Sequence, residues 1–151
     1  MELILWRHAD AEDAGSQGDG ARRLTKKGRK QADRMAAWLK TRTGDEWRIV
    51  VSPAKRALET VAPLDRAFDV SEEVGTGASV SSVLHAAGWP HGERPVIVVG
   101  HQPTLGEVAA ELLGAQAGLA IRKGAAWWFV SRGGETVLKA VMNPELLEEP
   151  D

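Results

Sequence analysis

The segment Leu3-Ile4-Leu5-Trp6-Arg7-His8-Ala9-Asp10 decides the fold, because an apolar run leads directly into a pair of basic side chains. Four consecutive apolar residues without polar alternation are typical of a strand that is covered on both faces, as in a parallel sheet. The same pattern recurs at Ile49–Val51 and Val96–Val99. We therefore expect a sheet built around these three parallel strands.

Helical patterns lie between the strands. Apolar residues recur at helical spacing from Ala32 to Leu39, and Thr25 is the predicted N-cap of that helix. Ser52-Pro53 has the composition of an N-cap followed by the first helical residue, and Thr104 with Glu107 has the spacing of a capping box. This order of elements predicts an α/β fold, namely a three-layer α/β/α sandwich with a mostly parallel central sheet.

The C-terminal part of the chain has a different pattern. Ala126–Val130 and Thr136–Val141 flank the pair Gly133-Gly134, which predicts an antiparallel hairpin. The 151 residues have the length of one ordinary domain, and no repeat or linker divides them. Residues 1–151 are therefore expected to form a single domain.

Composition excludes several classes of protein. The absence of cysteine excludes disulfides, thiolate zinc sites and cysteine nucleophiles. A net charge of −2 gives no indication of a nucleic-acid or membrane partner. The first apolar run is too short for a signal peptide, and there is no run of about 18 apolar residues that could span a membrane. We therefore expect a cytoplasmic protein.

Basic and imidazole side chains follow each of the three predicted strands. Arg7 and His8 follow the first strand, Ser52 and then Arg56 follow the second, and His101 follows the third. Ligands of open α/β sheets bind at the carboxyl ends of parallel strands, so we expect these side chains to meet at one edge of the sheet.

Such a group of side chains is suited to a phosphoryl group. Arginine presents paired donors that match phosphate oxygens, and the helix N-termini predicted near Ser52 and Thr104 add backbone N–H groups. A neutral imidazole is a competent nucleophile, and neighbouring positive charges should lower the pKa of His8. His101 can donate to the phosphoryl oxygens as charge develops. The sequence therefore predicts phosphoryl transfer without a metal or other cofactor.

Four motifs, in the expected order, resemble those of the histidine phosphatase superfamily, which has the phosphoglycerate mutase-like fold. Within it, the resemblance is to the SixA-type phosphohistidine phosphatases. The stretches that carry it are Leu5–Ala9, Arg22–Gly28, Ser52–Thr60 and Val99–Leu105, and Met142–Pro144 resembles the C-terminal end of that family. The resemblance implies that His8 is the phosphorylated nucleophile. It also implies a phosphate pocket formed by Arg7, Arg56 and His101, with Arg22 as a further substrate-binding residue. We expect Ser52 to bind substrate as well.

Two assignments stay open at this point, namely the proton donor and the substrate-binding arginine in addition to Arg7 and Arg56. Asp10 and Glu73 are the candidate proton donors, and Arg23 could take the place of Arg22. A phosphohistidine substrate has little need of a strong acid, because the conjugate acid of its imidazole leaving group has a pKa of about 6.5. The resemblance therefore implies a hydrolase that acts on a phosphorylated protein, with no nucleic-acid or membrane partner.

Three alternatives stand beside this interpretation. The first is a phosphatase for a small phosphorylated molecule, such as a phosphomonoesterase or a phosphosugar phosphatase or mutase of the same superfamily. The second is a phosphate-binding module without turnover, which would have no use for His8 as a nucleophile. The third is a metallohydrolase with His8, Asp10 and His101 as ligands, which the neighbouring arginines disfavour.

Overall fold

The computed structural model describes residues 1–150, which contain a six-stranded sheet. The strands are β1 (Glu2–Arg7), β2 (Arg48–Val51), β3 (Asp69–Val70), β4 (Val96–Gly100), β5 (Ala126–Arg132) and β6 (Glu135–Met142). Their order across the sheet is β3-β2-β4-β1-β5-β6. The first four strands in this order are parallel to one another, whereas β5 is antiparallel to β1 and β6 is antiparallel to β5. The predicted sheet and its C-terminal hairpin are confirmed.

Helices cover both faces of the sheet. They are α1 (Lys26–Arg42), α2 (Lys55–Val61), α3 (Val80–Ala87) and α4 (Thr104–Leu113), with short 3₁₀ turns at Asp19–Ala21, Ala62–Leu64, Glu72–Val74 and Pro144–Leu146. Residues of α1 and α2 belong to one hydrophobic cluster and residues of α3 and α4 to another. The predicted three-layer α/β/α arrangement is confirmed. Within residues 1–150, no helix is both long enough and apolar enough to cross a lipid bilayer.

The central strand β1 shows why its apolar run does not alternate with polar residues. Ile4 and Trp6 pack in the cluster with α1 and α2, while Leu3 and Leu5 pack in the cluster with α3 and α4. Successive side chains of a strand point to opposite faces, and here both faces are buried. Each large apolar side chain buried in this way contributes about 1.5–3 kcal/mol. This burial positions the residues at the carboxyl end of β1.

Two helix starts test the capping predictions. Thr25 caps α1 as predicted, since its Oγ1 accepts a hydrogen bond from the Gly28 N–H at 3.0 Å. The predicted helix start at Ser52-Pro53 is wrong, because α2 begins at Lys55. Ser52 Oγ instead accepts from the Ala54 N–H at 3.1 Å, which makes a short turn between β2 and α2.

The start of α4 also differs from its prediction. The helix begins at Thr104 itself, so this residue does not act as the N-cap of a capping box with Glu107. Gln102 Oε1 accepts from the Gly106 N–H at 2.7 Å, while Thr104 Oγ1 donates to the Ala78 carbonyl at 2.7 Å. The Gln102 side chain therefore satisfies a backbone N–H of the first turn of α4, and Thr104 connects α4 to the loop before α3.

Candidate active site

Neighbouring strand ends bring two histidines together. Arg7 at the end of β1 pairs in register with Gly100 at the end of β4, so His8 and His101 lie side by side. Their imidazole centroids are 5.2 Å apart, and the His8 backbone N–H donates to the Gly100 carbonyl at 3.0 Å. Arg56 lies on α2, which follows the adjacent strand β2. We refer to Arg7, His8, Arg56 and His101 as the histidine pocket.

His8 is held as a neutral imidazole. It is 5% exposed, and its Nδ1 lies 2.7 Å from the Ala9 carbonyl oxygen. A carbonyl can only accept, so Nδ1 carries the proton and Nε2 keeps its lone pair. The pKa of His8 is lowered to about 3, mainly by burial and in smaller part by the neighbouring charges, while the hydrogen bond with the Ala9 carbonyl opposes the shift. Those charges were the predicted cause, but burial is the larger one.

His101 is held in place by Ser52. Burial, together with the charge of Arg56, lowers the pKa of His101 to about 4. Its Nε2 lies 2.7 Å from Ser52 Oγ, which already accepts from the Ala54 N–H. The Ser52 hydroxyl proton is therefore available to His101 Nε2, which favours the imidazole proton on Nδ1. Within residues 1–150, Nδ1 is buried and has no hydrogen-bond partner, so it can donate to a ligand oxygen.

The two arginines of the pocket retain unused donors. Arg56 is 3% exposed, and its Nη1 and Nη2 donate to the Asp19 carbonyl and carboxylate at 2.9 and 3.1 Å. Arg7 Nη1 donates to the Ile121 carbonyl at 2.9 Å, and burial lowers the pKa of Arg7. Neither Nε has a partner among the residues that the structure describes. Each guanidinium can therefore still donate to a phosphate-like anion.

The structure adds Asp19, which the sequence analysis missed. Its Oδ2 lies 3.1 Å from Arg56 Nη2, and its Oδ1 lies 3.4 Å from Arg22 Nη1. Partial burial raises the pKa of Asp19, but the two arginines outweigh that effect and lower it overall. Asp19 stands between two glycines in the loop, three residues before Arg22. That spacing next to a motif arginine is the signal that could have identified it.

Arg22 and Arg23 contact different carboxylates. Arg22 Nε donates to the Glu12 carbonyl at 2.6 Å, and its Nη1 pairs with Asp19, which also binds the buried pocket arginine. Arg23 instead pairs with Glu59 at 3.0 Å and is more exposed. The structure therefore links Arg22, rather than Arg23, to the histidine pocket.

Neither predicted proton donor contacts the two histidines. The Asp10 carboxylate lies 2.9 Å from Lys123 Nζ and 2.7 Å from Thr25 Oγ1, and these two hydrogen bonds lower the pKa of Asp10. The Glu73 carboxylate lies 2.6 Å from Nδ1 of His85, an exposed side chain whose pKa it raises. Both carboxylates are thus engaged elsewhere, and a role in proton transfer stays a prediction without a supporting contact.

The metallohydrolase alternative requires a group of side chains that can hold a metal ion. Within residues 1–150, no group of three or more His, Asp or Glu side chains could hold a metal ion. The Asp10 carboxylate, which the metallohydrolase alternative needs as a ligand, is bound by a lysine and a threonine.

Thr60 is a second residue that the sequence analysis missed. Its Oγ1 accepts from the Ala9 N–H at 2.9 Å and donates to the Arg56 carbonyl at 2.7 Å. It therefore ties the backbone after His8 to α2. A buried threonine one helical turn after a motif arginine is typical of many helices, so the sequence carried no specific signal for this contact.

The sequence of this chain matches a family model and two named proteins. Residues 3–78 match the family model described as "Histidine phosphatase superfamily (branch 1)". The chain is 35% identical over 130 residues to a protein of Haemophilus influenzae named "Phosphohistidine phosphatase SixA homolog", covering 76% of this chain and 78% of that protein. It is 34% identical over 122 residues to "Phosphohistidine phosphatase SixA" of Escherichia coli, covering 74% of each.

A solved structure supports the fold independently. The structure described as "protein histidine phosphatase SixA complexed with tungstate" superposes with a TM-score of 0.80 at 24% identity. The superposition covers 98% of this chain and 100% of that chain.

Proposed function

The chain belongs to the histidine phosphatase superfamily, and we propose that it hydrolyses the phosphoramidate bond of phosphohistidine in proteins. The observation that carries the proposal is the histidine pocket, in which a neutral His8 with a free Nε2 lone pair lies among two arginines and His101. The relatives at 34–35% identity carry the same activity in their names, and they align over about three quarters of their length.

The reaction proceeds in two balanced steps. His8 Nε2 attacks phosphorus in line, and an N–P bond to His8 forms while the N–P bond of the substrate breaks. The substrate ring reacts with a proton on its other nitrogen, so it takes the electron pair of the broken bond and leaves as a neutral imidazole. Water then attacks the phosphorylated His8, which releases inorganic phosphate and restores the neutral imidazole. Because His8 is unprotonated at neutral pH, no base is required to activate it.

The other pocket residues bind and stabilise the phosphoryl group. Arg7 and Arg56 donate to its oxygens with N–H groups that lack other partners, and His101 donates from Nδ1. Ser52, predicted to bind substrate, instead contacts His101, so we assign it as a positioning residue for that ring. Arg22 acts through Asp19 at the edge of the pocket.

The placement of the carboxylates favours phosphohistidine over alkyl phosphates. An alkyl phosphate must expel an alkoxide and needs a proton donor, whereas imidazole leaves readily because its conjugate acid has a pKa of about 6.5. Asp10 and Glu73 are both held by other partners. Comparable kcat/KM for a sugar phosphate and a phosphohistidine peptide would instead favour the small-molecule phosphatase alternative. The cytoplasmic location expected from the sequence stays a prediction.

Trapping of the phosphorylated enzyme tests the proposal. The protein is incubated with ³²P-labelled phosphoramidate, quenched in alkali and separated under denaturing conditions. Wild type should carry an acid-labile, alkali-stable label, and His8→Ala should carry none. His91→Ala is the matched control, because this histidine is exposed in a loop and should label like wild type. A fully labelled and active His8→Ala would overturn the mechanism.

A further inference from the structure

A second basic surface adjoins the histidine pocket at Arg7. It is an open groove of about 960 Å³ between the first half of α1 and the segment 120–123. Seven of its twelve lining residues are arginine or lysine, and two are acidic. Arg7 lines this surface, whereas the other three residues of the histidine pocket do not. We call this surface the basic groove.

The positive charge of the groove is local and partly unpaired. The chain as a whole has a net charge of −2, so this concentration of cations is not a property of the entire surface. Lys123 pairs with Asp10 at 2.9 Å, and Arg122 with Glu145 at 3.7 Å. Lys26 and Lys27 are exposed, and neither forms an ion pair within residues 1–150.

The chain itself shows that carboxylates bind at the groove. Glu149 Oε1 lies 3.3 Å from Arg34 Nη2 and 3.8 Å from Lys30 Nζ, and both cations line the groove. The Glu149 side chain is 54% exposed. Such solvent-exposed ion pairs are weak, so an incoming carboxylate can replace this one at little cost.

We propose that the basic groove is the docking surface for a phosphorylated protein whose phosphohistidine is flanked by Asp and Glu side chains. The proposal rests on the proposed function and specifies its substrate class. A phosphoryl group held by Arg7 places the neighbouring residues of the partner over the groove, where the opposite charges attract. Complementary charge of this kind accelerates association and selects among partners.

Nucleic acid is the less suitable occupant of the groove. Single-stranded nucleic acids bind to basic channels in which aromatic side chains stack on the bases. None of the twelve residues that line this groove is aromatic. A protein surface rich in carboxylates requires only the cations that are present.

Peptide binding tests the docking proposal without any turnover. Two fluorescent peptides with a central unphosphorylated histidine are compared by anisotropy, one flanked by six Asp and Glu residues and one by Ser and Gln. Wild type should bind the acidic peptide about tenfold more tightly at low salt. The double variant Lys26→Glu/Lys27→Glu should lose this preference, and it should fold normally because Glu is favourable in the first turn of a helix.

The matched control is Lys40→Glu/Arg132→Glu, which changes the net charge equally at two exposed sites outside the groove. It should keep the preference for the acidic peptide. An equal loss in the control, equal binding of both peptides by wild type, or tighter binding of single-stranded DNA of similar charge would each overturn the docking proposal. Labelling of His8 without a peptide preference would overturn docking alone, whereas peptide preference without labelling would overturn only the proposed function.

Discussion

The histidine pocket and the basic groove share Arg7 but use charge in opposite ways. In the pocket, His8, Arg56 and His101 are each at most 5% exposed, and the histidines are neutral. In the groove, most lysines and arginines are exposed, their ion pairs are open to solvent, and Lys26 and Lys27 form no ion pair within residues 1–150. Burial makes each interaction of the pocket strong and dependent on exact position, while screening makes those of the groove weak and additive. The pocket is therefore suited to chemistry and the groove to recognition.

The largest expected effect comes from removing a buried donor of the pocket. Arg56→Met should lower kcat/KM by about 10²–10³ for small phosphoramidates and phosphohistidine peptides alike, because the lost donors act on the phosphoryl group itself. Steady-state kinetics with both substrates would measure this. Arg22→Met, at the partly exposed edge, is the control and should cost less. An equal loss of kcat/KM in both variants would mean that burial does not determine how much each arginine contributes to catalysis.

The second prediction concerns stability against pH. The pKa values of His8 and His101, about 3 and about 4, lie below the value of an unfolded histidine, about 6.5. Below pH 6.5 the unfolded chain therefore binds more protons than the folded protein does. At pH 7 both histidines are neutral in the folded protein, and their contribution to stability is fully present. As the pH drops from about 6.5 towards 4, the free energy of unfolding falls.

Urea unfolding at pH 7 and pH 4 would measure this effect. His8→Asn should remove about 2–3 kcal/mol of the loss seen in wild type, since the buried imidazole no longer resists protonation. His91→Asn, at an exposed position, should retain the full loss. If the stability of His8→Asn decreased between pH 7 and pH 4 as much as that of wild type, burial of His8 would not be the cause of the loss of stability in wild type.

The third prediction separates pocket and groove by salt. For an acidic phosphohistidine peptide, kcat/KM should fall about tenfold between roughly 0.05 and 0.5 M sodium chloride, because the exposed groove charges are screened. For phosphoramidate, which contacts only the buried pocket, the fall should be about twofold. Sodium chloride titrations of both activities would measure the difference. Parallel salt curves for the two substrates would remove the distinction between the two regions.

The smallest expected effect lies at the edge of the pocket. Asp19→Asn removes a negative charge beside Arg56 and Arg22 that repels an incoming phosphate dianion. Because the Asp19 side chain is 52% exposed, the effect should be modest, about threefold tighter binding of inorganic phosphate in calorimetry. Glu12→Gln, which keeps the backbone carbonyl that Arg22 contacts, is the control. Weaker phosphate binding by Asp19→Asn would show that the carboxylate chiefly positions the two arginines.

The sheet and the location of the site could be predicted because both depend on short stretches of chain. His8 and His101 follow apolar strands directly, so the pairing of those strands is enough to bring them together. The start of α2 could not be predicted in the same way. Ser52 and Pro53 have the local composition of a helix start, but Ser52 Oγ is engaged by Ala54 and by His101, 49 residues away.

The sequence by itself determined which segments form strands and helices and which reactive side chains follow the strands, because these properties depend on residues close together along the chain. Only the tertiary structure decided that Asp10 pairs with Lys123, 113 residues away, and Asp19 with Arg56, 37 residues away. It also decided that burial, more than charge, keeps His8 neutral. Ion pairing and desolvation depend on distances in space, which the packing of remote segments sets.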